Sequence, residues 1–361
     1  MSCSTLFFKL NNGNSFPLVG FGTYIITGQE NVTKVIDECL KVGYRSFDTA
    51  AMYENEKEIG IALKELLPKY GLTRKDVYLT SKLLPADQGS RAERAARESI
   101  ENLQCEYLDL YLIHWPGSYL VRTDPKNAKL RRESWSAIVK LHKLGLIKNA
   151  GVSNYTVRHL RELIADCDGV IPTVNQVEWH PHHHPQDLLD ECRAHGILLQ
   201  AYSSLGGTTN RAVIDDPKIN EIAKAINRPV GLVLLKWALQ QNIAIIPKAR
   251  SEGHIRDNFT LGEFTIPEEY MEKLNNLSVQ RYDWNPEKQR CPGSWGEVCL
   301  GLGGGCVGPR GVAGRPTSSD RERLVEGDLL TSPAGLSRPI ALYRSGRNRF
   351  IRPPLLGRLT P

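Results

Sequence analysis

Four side chains with acid-base chemistry lie at regular intervals near the ends of short apolar segments. A tyrosine hydroxyl has a pKa near ~10 and is a weak acid at neutral pH, but a neighbouring cation favours the phenolate and lowers that pKa. Lys82 can supply this cation to Tyr53, and Asp48 can supply the counter-charge that a lysine shielded from water needs. His114 can donate a hydrogen bond to a carbonyl oxygen and hold it near the phenol. We interpret these residues as one acid relay directed at a carbonyl group.

The intervals between these residues predict how the fold positions them. Lys82 follows Asp48 by 34 residues, and His114 follows Lys82 by 32. Each interval is close to the length of one strand-helix unit, about 30 residues or more, so the side chains would end successive parallel strands and meet at one edge. Taken singly, each has an ordinary explanation in packing or in structural hydrogen bonds. The joint pattern indicates a site.

The surrounding chain alternates short apolar runs with amphipathic stretches of helical period, which is typical of parallel strands joined by helices. Eight such units in ~250 residues, with no glycine fingerprint at their strand-to-helix turns, favour a closed barrel. We therefore predict an α/β fold, a (β/α)8 TIM barrel with an N-terminal β-hairpin; an open doubly wound sheet is the alternative. The predicted strands are VGFG, YRSFDT, VYLTSKL, LDLYLIHW, IKNAGVS, TVNQVEW, ILLQAYS and NIAIIPK.

The formal net charge of +6 arises entirely from the C-terminal end of the chain. Residues 289–361 hold 11 Arg, no Lys and 5 acidic residues, whereas residues 1–288 hold 35 basic and 35 acidic residues. The same end is rich in Gly and Pro and lacks periodicity. We predict a barrel domain at 1–288 and a low-complexity, disordered tail at 289–361. The neutral barrel gives no reason to expect a specific nucleic-acid partner, although weak binding of polyanions by the tail stays open.

Two further patterns exclude other classes of site. GGGCVG, at 303–308, fits GxGxxG but has no strand before it and no helix after it, so we interpret it as chance spacing in a glycine-rich tail. The eight cysteines form no CxxC pair, which argues against a disulfide framework and a zinc site. No apolar run approaches ~20 residues and the N-terminus has no secretory pattern, so we expect a cytoplasmic protein without a membrane partner.

Two long motifs make the chain resemble the aldo-keto reductase family over about residues 5–288. GYRSFDTAAMYENEKEIG, at 43–60, fits the first family signature in full, and KNAGVSNY, at 148–155, fits the second apart from Ala150. The resemblance implies a (β/α)8 barrel, expected as a monomer, that reduces a small-molecule carbonyl substrate with NADPH. It also implies that Tyr53 is the proton donor of a tetrad. The other tetrad members are Asp48, Lys82 and His114.

The resemblance further implies a set of cofactor-binding residues. Ser153, Asn154 and Gln176 would hold the nicotinamide carboxamide, because an amide needs paired donors and acceptors. Tyr202 would stack on the ring, and Thr23 with Asp48 would line the nicotinamide end. Without the resemblance, Ser153 and Asn154 are equally typical of a cap on the helix that starts near Thr156. Ser203, Leu205, Asp257 and Asn258 complete the predicted set, the last two at the adenine.

The part of the motif that selects NADP departs from the family. Lys248 is retained and would contact phosphate, but Ala249 replaces the usual serine and His254 replaces the usual arginine. Arg250 is an additional cation that could compensate, since the 2′-phosphate favours fixed positive charge. We predict a preference for NADPH with weaker discrimination against NADH than is usual in the family.

A run of histidines follows the sixth predicted strand in EWHPHHHPQD. Clustered imidazoles invite a zinc interpretation, but a catalytic zinc site needs ligands that regular structure holds rigidly. We therefore predict no functional metal and expect a solvent-facing loop with only adventitious metal affinity. The histidines are His180, His182, His183 and His184.

The substrate mouth is predicted to be aromatic. Tyr24, Tyr53, His114 and Trp115 would wall it, which suits aldehydes and ketones with some apolar body. The chain follows the family to about RYDWNPEK and then enters the tail, so the family's C-terminal wall looks replaced and we expect a wider pocket with a lower kcat/KM. An NADPH-binding barrel that reports redox state with little turnover is the alternative function.

Overall fold

The computed structural model describes residues 6–118, 124–207, 211–282 and 286. Its strands are β1 Phe7–Lys9, β2 Ser15–Pro17, β3 Phe21–Gly22, β4 Ser46–Asp48, β5 Tyr78–Leu83, β6 Leu108–Ile113, β7 Ile147–Ser153, β8 Val174–Glu178, β9 Leu198–Tyr202 and β10 Ala244–Ile245. Its helices are α1 Gln29–Val42, α2 Glu56–Lys69, α3 Ala92–Asn102, α4 Asp124–Lys143, α5 Val157–Ile164, α6 Gln186–Ala194, α7 Pro217–Ala225, α8 Val230–Gln240, α9 Glu252–Asp257 and α10 Glu268–Asn275. The predicted tail at 289–361, with its GGGCVG segment, lies outside the described residues.

The eight strands from β3 to β10 form one parallel sheet in which each strand pairs with its neighbours in chain order. A parallel bridge between Val19 and Ile245 brings the two edges of the sheet together. The Ile245 N–H donates to Leu18 O at 2.8 Å, and the Gly22 N–H donates to Pro247 O at 3.1 Å. A Cβ at Gly22 would lie 2.7 Å from a main-chain oxygen, so this approach requires glycine. The (β/α)8 barrel is confirmed, and the open doubly wound sheet is wrong.

The helices cover the barrel because each turns one apolar stripe inward. Helix α1 buries Val32, Val35, Ile36 and Cys39, which recur at the i, i+3, i+4 and i+7 spacing of one helical face. It ends at Gly43, whose φ of 115° lies in the left-handed region that terminates helices. Strands β3 to β10 are buried on both faces along most of their length, as expected of a parallel sheet enclosed by helices.

The N-terminal hairpin is confirmed and lies at the end of the barrel where the strands begin. Strands β1 and β2 pair antiparallel, with Phe8 opposite Phe16, and Phe16 is fully buried. Asn12 and Asn14 donate side-chain hydrogen bonds to Asn149 Oδ1 at 2.8 and 2.9 Å, near the start of β7. The hairpin therefore leaves the opposite end of the barrel, where the strands finish, free for other residues. Within the described ranges, no helix combines the length and apolar character needed to cross a membrane.

Candidate functional site

The four residues of the predicted acid relay gather where neighbouring strands end. Asp48 is the last residue of β4, Lys82 is the penultimate residue of β5, and His114 directly follows β6. Tyr53 ends a short 3-10 helix, Ala51–Tyr53, that follows β4. Parallel strands in register place their final residues at one mouth, and the sequence spacing anticipated this convergence.

Lys82 is the centre of the group. Its Nζ donates to Asp48 Oδ1 at 2.5 Å and to Thr49 O at 2.8 Å, and it lies 3.4 Å from the Tyr53 hydroxyl oxygen. The lysine side chain is fully buried, and Asp48 is 2% exposed. Burial lowers the pKa of Lys82, while the carboxylate of Asp48 opposes that shift. The ammonium thus has two fixed acceptors and one remaining N–H available for the phenol.

The Tyr53 ring is held between the lysine and two other rings. Its centroid lies 4.8 Å from Lys82 Nζ, 5.1 Å from the Tyr24 ring and 5.8 Å from the His114 ring, which meets it edge-on. These contacts fix the ring, yet Tyr53 is only half-buried. The phenol is therefore shielded on the lysine side and remains open towards the mouth.

His114 is neutral in this environment. Burial lowers the pKa of His114 well below its usual value, and the charge of Lys82 lowers it further. Its carbonyl oxygen accepts a hydrogen bond from Asn154 Nδ2 at 3.0 Å, which anchors the main chain. Its Nδ1 is buried and has no hydrogen-bond partner among the described residues. A neutral imidazole carries one N–H, so His114 can donate a single hydrogen bond to a carbonyl oxygen beside Tyr53.

The residues predicted to hold a carboxamide form a connected amide cluster beside this group. Ser153 Oγ donates to Gln176 O at 2.8 Å, and Asn154 Nδ2 lies 3.2 Å from Ser153 Oγ. The Tyr202 hydroxyl donates to Asn154 Oδ1 at 2.7 Å. The alternative role of Ser153 and Asn154 as helix caps is wrong, because Thr156 is the N-cap of α5. Both residues instead face the mouth of the barrel.

Gln176 links the amide cluster to the acid relay. Its Nε2 donates to Asp48 Oδ2 at 2.8 Å and to Gln200 Oε1 at 2.8 Å. Sequence reasoning missed Gln200, although it is a polar residue inside the apolar segment ILLQAYS. Alternation along a strand places it on the same face as Tyr202, two residues on, and this signal could have found it.

Three more of the predicted cofactor-binding residues, Thr23, Ser203 and Leu205, lie where barrel strands end. Thr23 Oγ1 donates to the main-chain oxygen of Asp48 at 2.9 Å, so Thr23 is tied to the acid relay. Ser203 directly follows β9 with a φ of 50°, and both Ser203 and Leu205 are half-buried. The left-handed conformation of Ser203 is one that non-glycine residues adopt uncommonly, so the chain turns sharply directly after the strand.

The cations predicted to bind the phosphate are more exposed to solvent than Lys82. Lys248 is half-buried, and its pKa is lowered by burial and by the charge of Arg250. Arg250 is exposed and donates from Nη2 to Ile25 O at 2.7 Å, which ties it to the loop that carries Tyr24. His254 is exposed in α9. Lys248 and Arg250 repel one another, so the binding of a phosphate beside them would be favoured.

The remaining predicted cofactor residues are Ala249 and the pair predicted to contact the adenine, Asp257 and Asn258. Ala249 is buried, 6% exposed, and its methyl side chain offers no polar group in place of the usual serine. Asp257 is the exposed last residue of α9, and Asn258 directly after it is buried.

The predicted aromatic mouth is assembled by the fold. The Tyr24 and Tyr53 rings are 5.1 Å apart, and the His114 and Trp115 rings stack at 6.5 Å. Gln88, which sequence reasoning also missed, donates from Nε2 to Trp115 O at 2.6 Å and holds this segment. The C-terminal segment, where the sequence analysis expects the family's wall to be replaced, lies mainly outside the residues that the structure describes.

The expectation of a solvent-facing histidine loop is wrong. His180 is fully buried and His182 is 7% exposed. His180 Nε2 lies 3.0 Å from Glu178 Oε1, and His182 lies 2.7 Å from the Tyr282 hydroxyl and 3.0 Å from Asp216 Oδ2. The loop is buried because its imidazoles have partners from distant segments of the chain. Across 6–118, 124–207 and 211–282, no three His, Cys, Asp or Glu side chains are grouped to hold a metal ion.

The same loop holds the C-terminal segment of the described chain. The Gln280 N–H donates to His182 O at 2.6 Å, and the Tyr282 N–H donates to Glu178 Oε1 at 2.7 Å. Arg281 Nε donates to His183 Nε2 at 3.1 Å. His184 Nε2 lies 3.0 Å from Asn275 O, in the last turn of α10. The histidine run is thus a structural clamp between the end of β8 and the end of the barrel domain.

Comparison with known proteins shows which family this chain resembles in sequence and fold. The chain matches the Aldo/keto reductase family over residues 18–279, which includes every strand of the barrel. It is 38% identical over 282 residues to glyoxal reductase of Bacillus subtilis, covering 78% of this chain and 96% of that protein. It is 32% identical over 297 residues to glycerol 2-dehydrogenase (NADP(+)) of Saccharomyces cerevisiae, covering 77% of this chain and 92% of that protein.

A solved structure agrees with the sequence comparison. An aldo-keto reductase from a Medee basin deep-sea metagenome library superimposes with a TM-score of 0.72 at 29% identity. The match covers 79% of this chain and 100% of that one. The matched length corresponds to a whole barrel domain.

Proposed function

Because the chain belongs to the aldo/keto reductase family, an oxidoreductase family, we propose that it reduces aldehydes and ketones to alcohols with NADPH and that Tyr53 donates the proton. The observation that carries this proposal is the 3.4 Å separation of the Tyr53 hydroxyl oxygen and Lys82 Nζ, with Lys82 also paired to Asp48. A buried cation beside a phenol favours loss of the phenolic proton. The arrangement suits a general acid that must act near neutral pH.

The proton would pass from Tyr53 to the carbonyl oxygen as that oxygen gains negative charge. Lys82 would stabilise the phenolate that remains, and its bond to Asp48 keeps the ammonium in place throughout. His114, neutral and edge-on to Tyr53, would donate a hydrogen bond to the same oxygen and orient it towards the phenol. These groups are fixed before substrate enters, so little reorganisation is needed during the reaction.

The amide cluster fits a nicotinamide cofactor. When bound, NADPH supplies the hydride that the carbonyl carbon receives. Gln176 has both amide N–H groups engaged by Asp48 and Gln200, which leaves its carbonyl oxygen to accept from a carboxamide. Asn154 and Ser153 supply further polar atoms, and the half-buried Tyr202 offers an aromatic face. The donor set therefore suits the group that the family uses.

The cation pair supports NADPH as the preferred cofactor. Lys248 and Arg250 lie close enough for Arg250 to lower the pKa of Lys248, so a dianionic phosphate beside them would relieve their repulsion. The yeast relative is named for NADP(+). His254 supplies a weaker cation than arginine, which supports the predicted relaxed discrimination against NADH.

The names of the relatives direct the choice of substrates to assay. One is a glyoxal reductase and another a glycerol 2-dehydrogenase, so small dicarbonyls, short aldehydes and polyol-derived ketones come first. The aromatic mouth of Tyr24, Tyr53 and Trp115 favours adding aryl aldehydes to the panel.

The test is NADPH oxidation with this panel by the wild type, Tyr53→Phe and a control, Tyr270→Phe. Removing the general acid is expected to lower kcat by about 10²- to 10⁴-fold. Tyr270 lies on α10 and contacts Lys273, so its loss should leave turnover unchanged. Equal activity of Tyr53→Phe and wild type would show that the acid is misassigned. Tight NADPH binding without turnover of any carbonyl would favour the redox-reporting alternative.

A further inference from the structure

The orientation of the Gln176 side chain is fixed by two acceptors. An ionised carboxylate can only accept, so the end of the amide that faces Asp48 Oδ2 at 2.8 Å must be the NH₂ group. The second N–H of that group meets Gln200 Oε1, also at 2.8 Å. Gln176 is 2% exposed and Gln200 is 1% exposed, so water does not compete for these bonds. Gln176 is therefore held with its carbonyl oxygen pointing away from both partners.

The register of the barrel places Gln200 for this contact. Strands β8 and β9 are parallel neighbours in which Gln176 and Gln200 are paired residues, so their side chains leave the sheet on the same face. Gln200 comes 24 residues after Gln176 in the chain, yet it is the lateral neighbour of that residue in the sheet. A strand-to-strand contact of this kind does not depend on a mobile loop.

Gln200 also stands at the end of a continuous hydrogen-bonded chain. Gln176 binds one oxygen of Asp48, and Lys82 binds the other at 2.5 Å. Lys82 then faces the hydroxyl of Tyr53 at 3.4 Å. Rotation of the Gln176 amide would therefore break a hydrogen bond to Asp48, the residue that pairs with the ammonium of Lys82.

We propose that Gln200 is a positioning residue that locks the amide of Gln176, so that the Gln176 carbonyl oxygen is presented to the carboxamide of the nicotinamide. This inference rests on the proposed function, because it assumes a nicotinamide cofactor. Without the Gln200 acceptor, one buried N–H of Gln176 has no partner and the amide is held only by its bond to Asp48 Oδ2, so its orientation is fixed less tightly. The effect should fall mainly on the nicotinamide half of the cofactor, because Gln200 bonds to Gln176, whereas Lys248 and Arg250 lie beyond the end of β10, the strand that pairs with Gln200.

The test compares binding of NADP+ with binding of 2′,5′-ADP, which lacks the nicotinamide. Gln200→Met keeps a similar volume, adds no buried charge and removes the acceptor. Gln240→Met is the matched control, because Gln240 also makes two amide hydrogen bonds, to the main chain of Ile266 on the outside of the barrel. Isothermal titration calorimetry gives Kd for each ligand, and thermal unfolding checks that each variant is folded.

Gln200→Met is expected to bind NADP+ about threefold to tenfold more weakly than wild type, which corresponds to the loss of one hydrogen bond, and to bind 2′,5′-ADP unchanged. Gln240→Met should change neither constant. Equal weakening of both ligands in Gln200→Met, or no weakening of either, would overturn the proposal.

Two further outcomes distinguish failure of the proposed function from failure of the positioning role of Gln200. If wild type binds neither ligand, the proposed function fails, and the role of Gln200 fails with it. If wild type binds NADP+ but Gln200→Met does not weaken NADP+ binding selectively over 2′,5′-ADP binding, the proposed function stands and the positioning role is wrong. Should Gln200→Met not fold, Gln200→Ser withdraws the acceptor with a smaller side chain and is judged by the same pair of constants.

Discussion

The two lysines of the site lie in opposite surroundings. Lys82 is fully buried and has two fixed acceptors, Asp48 Oδ1 and Thr49 O. Lys248 is half-buried and has another cation, Arg250, as its charged neighbour. The first lysine is satisfied by the protein itself, whereas the second becomes satisfied only when an anion arrives. The proposed catalytic end is therefore completed by charges of the protein itself, whereas the proposed phosphate end holds two cations that a bound anion would pair.

The difference explains where this chain departs from the family pattern. A change near Lys82 would leave a buried charge uncompensated, which costs folding free energy whatever the ligand. A change at an exposed position of the phosphate end, such as His254, is expected to alter the affinity for a ligand more than the stability of the barrel. The departures at Ala249 and His254 lie at the phosphate end, whereas the tetrad residue types are all present.

The largest expected effect is that of Lys82→Met, which tests whether the catalytic end is both functional and structural. We expect kcat to fall by about 10²- to 10⁴-fold, because the phenol loses the cation that favours its ionisation. We also expect a loss of about 3–5 kcal/mol in unfolding free energy, because Asp48 is left buried without its partner. Steady-state NADPH oxidation and urea unfolding measure the two. Lys64→Met, an exposed change on α2, is the control, and a Lys82→Met enzyme with normal kcat would contradict the proposed relay.

The next effect is that of Lys248→Met, which tests whether the phosphate end is functional only. We expect KM for NADPH to rise about 10- to 100-fold through loss of a charge-assisted hydrogen bond, with kcat and KM for NADH little changed. Stability should stay close to wild type, because Lys248 has no buried carboxylate partner among the described residues. Steady-state kinetics with both cofactors check this. A parallel rise in KM for NADPH and NADH would mean that Lys248 does not read the 2′-phosphate.

A smaller effect is expected from His254→Arg, which restores the residue type that is usual at this position. We expect KM for NADPH to fall about twofold to fivefold, because an exposed permanent cation adds modest attraction to a phosphate. KM for NADH should not move, so the ratio of the two constants is the measurement. If the ratio is unchanged, Arg250 already supplies the cation that the phosphate needs. Arg250→Met would then show the larger change.

The smallest expected effect concerns the histidine clamp, which resembles the catalytic end in being buried. Burial and the charge of Arg281 lower the pKa of His183 to about 4, compared with ~6.5 in an unfolded chain. The unfolded state therefore binds more protons between these values, so stability from this group is full above about pH 6.5 and is lost as pH falls towards about 4.

His183→Gln tests that behaviour, since glutamine keeps an oxygen that can accept from Arg281 Nε but does not titrate. Between about pH 6.5 and about pH 4, we expect the free energy of unfolding to fall less in His183→Gln than in wild type. The difference should be about 1 kcal/mol or less, because His183 is partly exposed to solvent. His195→Gln, at the end of α6, is the control. Unchanged acid limbs for His183→Gln and wild type would place the titrating group elsewhere.

The sequence predicted the barrel and the acid relay because both depend on local periodicity. Each apolar run of the chain became a strand, and the 34- and 32-residue intervals placed Asp48, Lys82 and His114 at one mouth. Patterns of this kind survive folding because every βα unit repeats the same geometry. The exposure of the histidine loop was mispredicted, since the partners of His182 lie at Asp216 and Tyr282, 34 and 100 residues away.

The sequence by itself thus determined the barrel, the neutrality of residues 1–288 and the residue types of the acid relay. Only the tertiary structure decided which polar groups meet: the pairing of Gln176 with Gln200, the tie from Arg250 to Ile25, and the burial of His180. The reason is physical. Periodicity fixes the face on which a side chain lies, but hydrogen-bond partners depend on inter-strand register and on distant loops that periodicity does not encode.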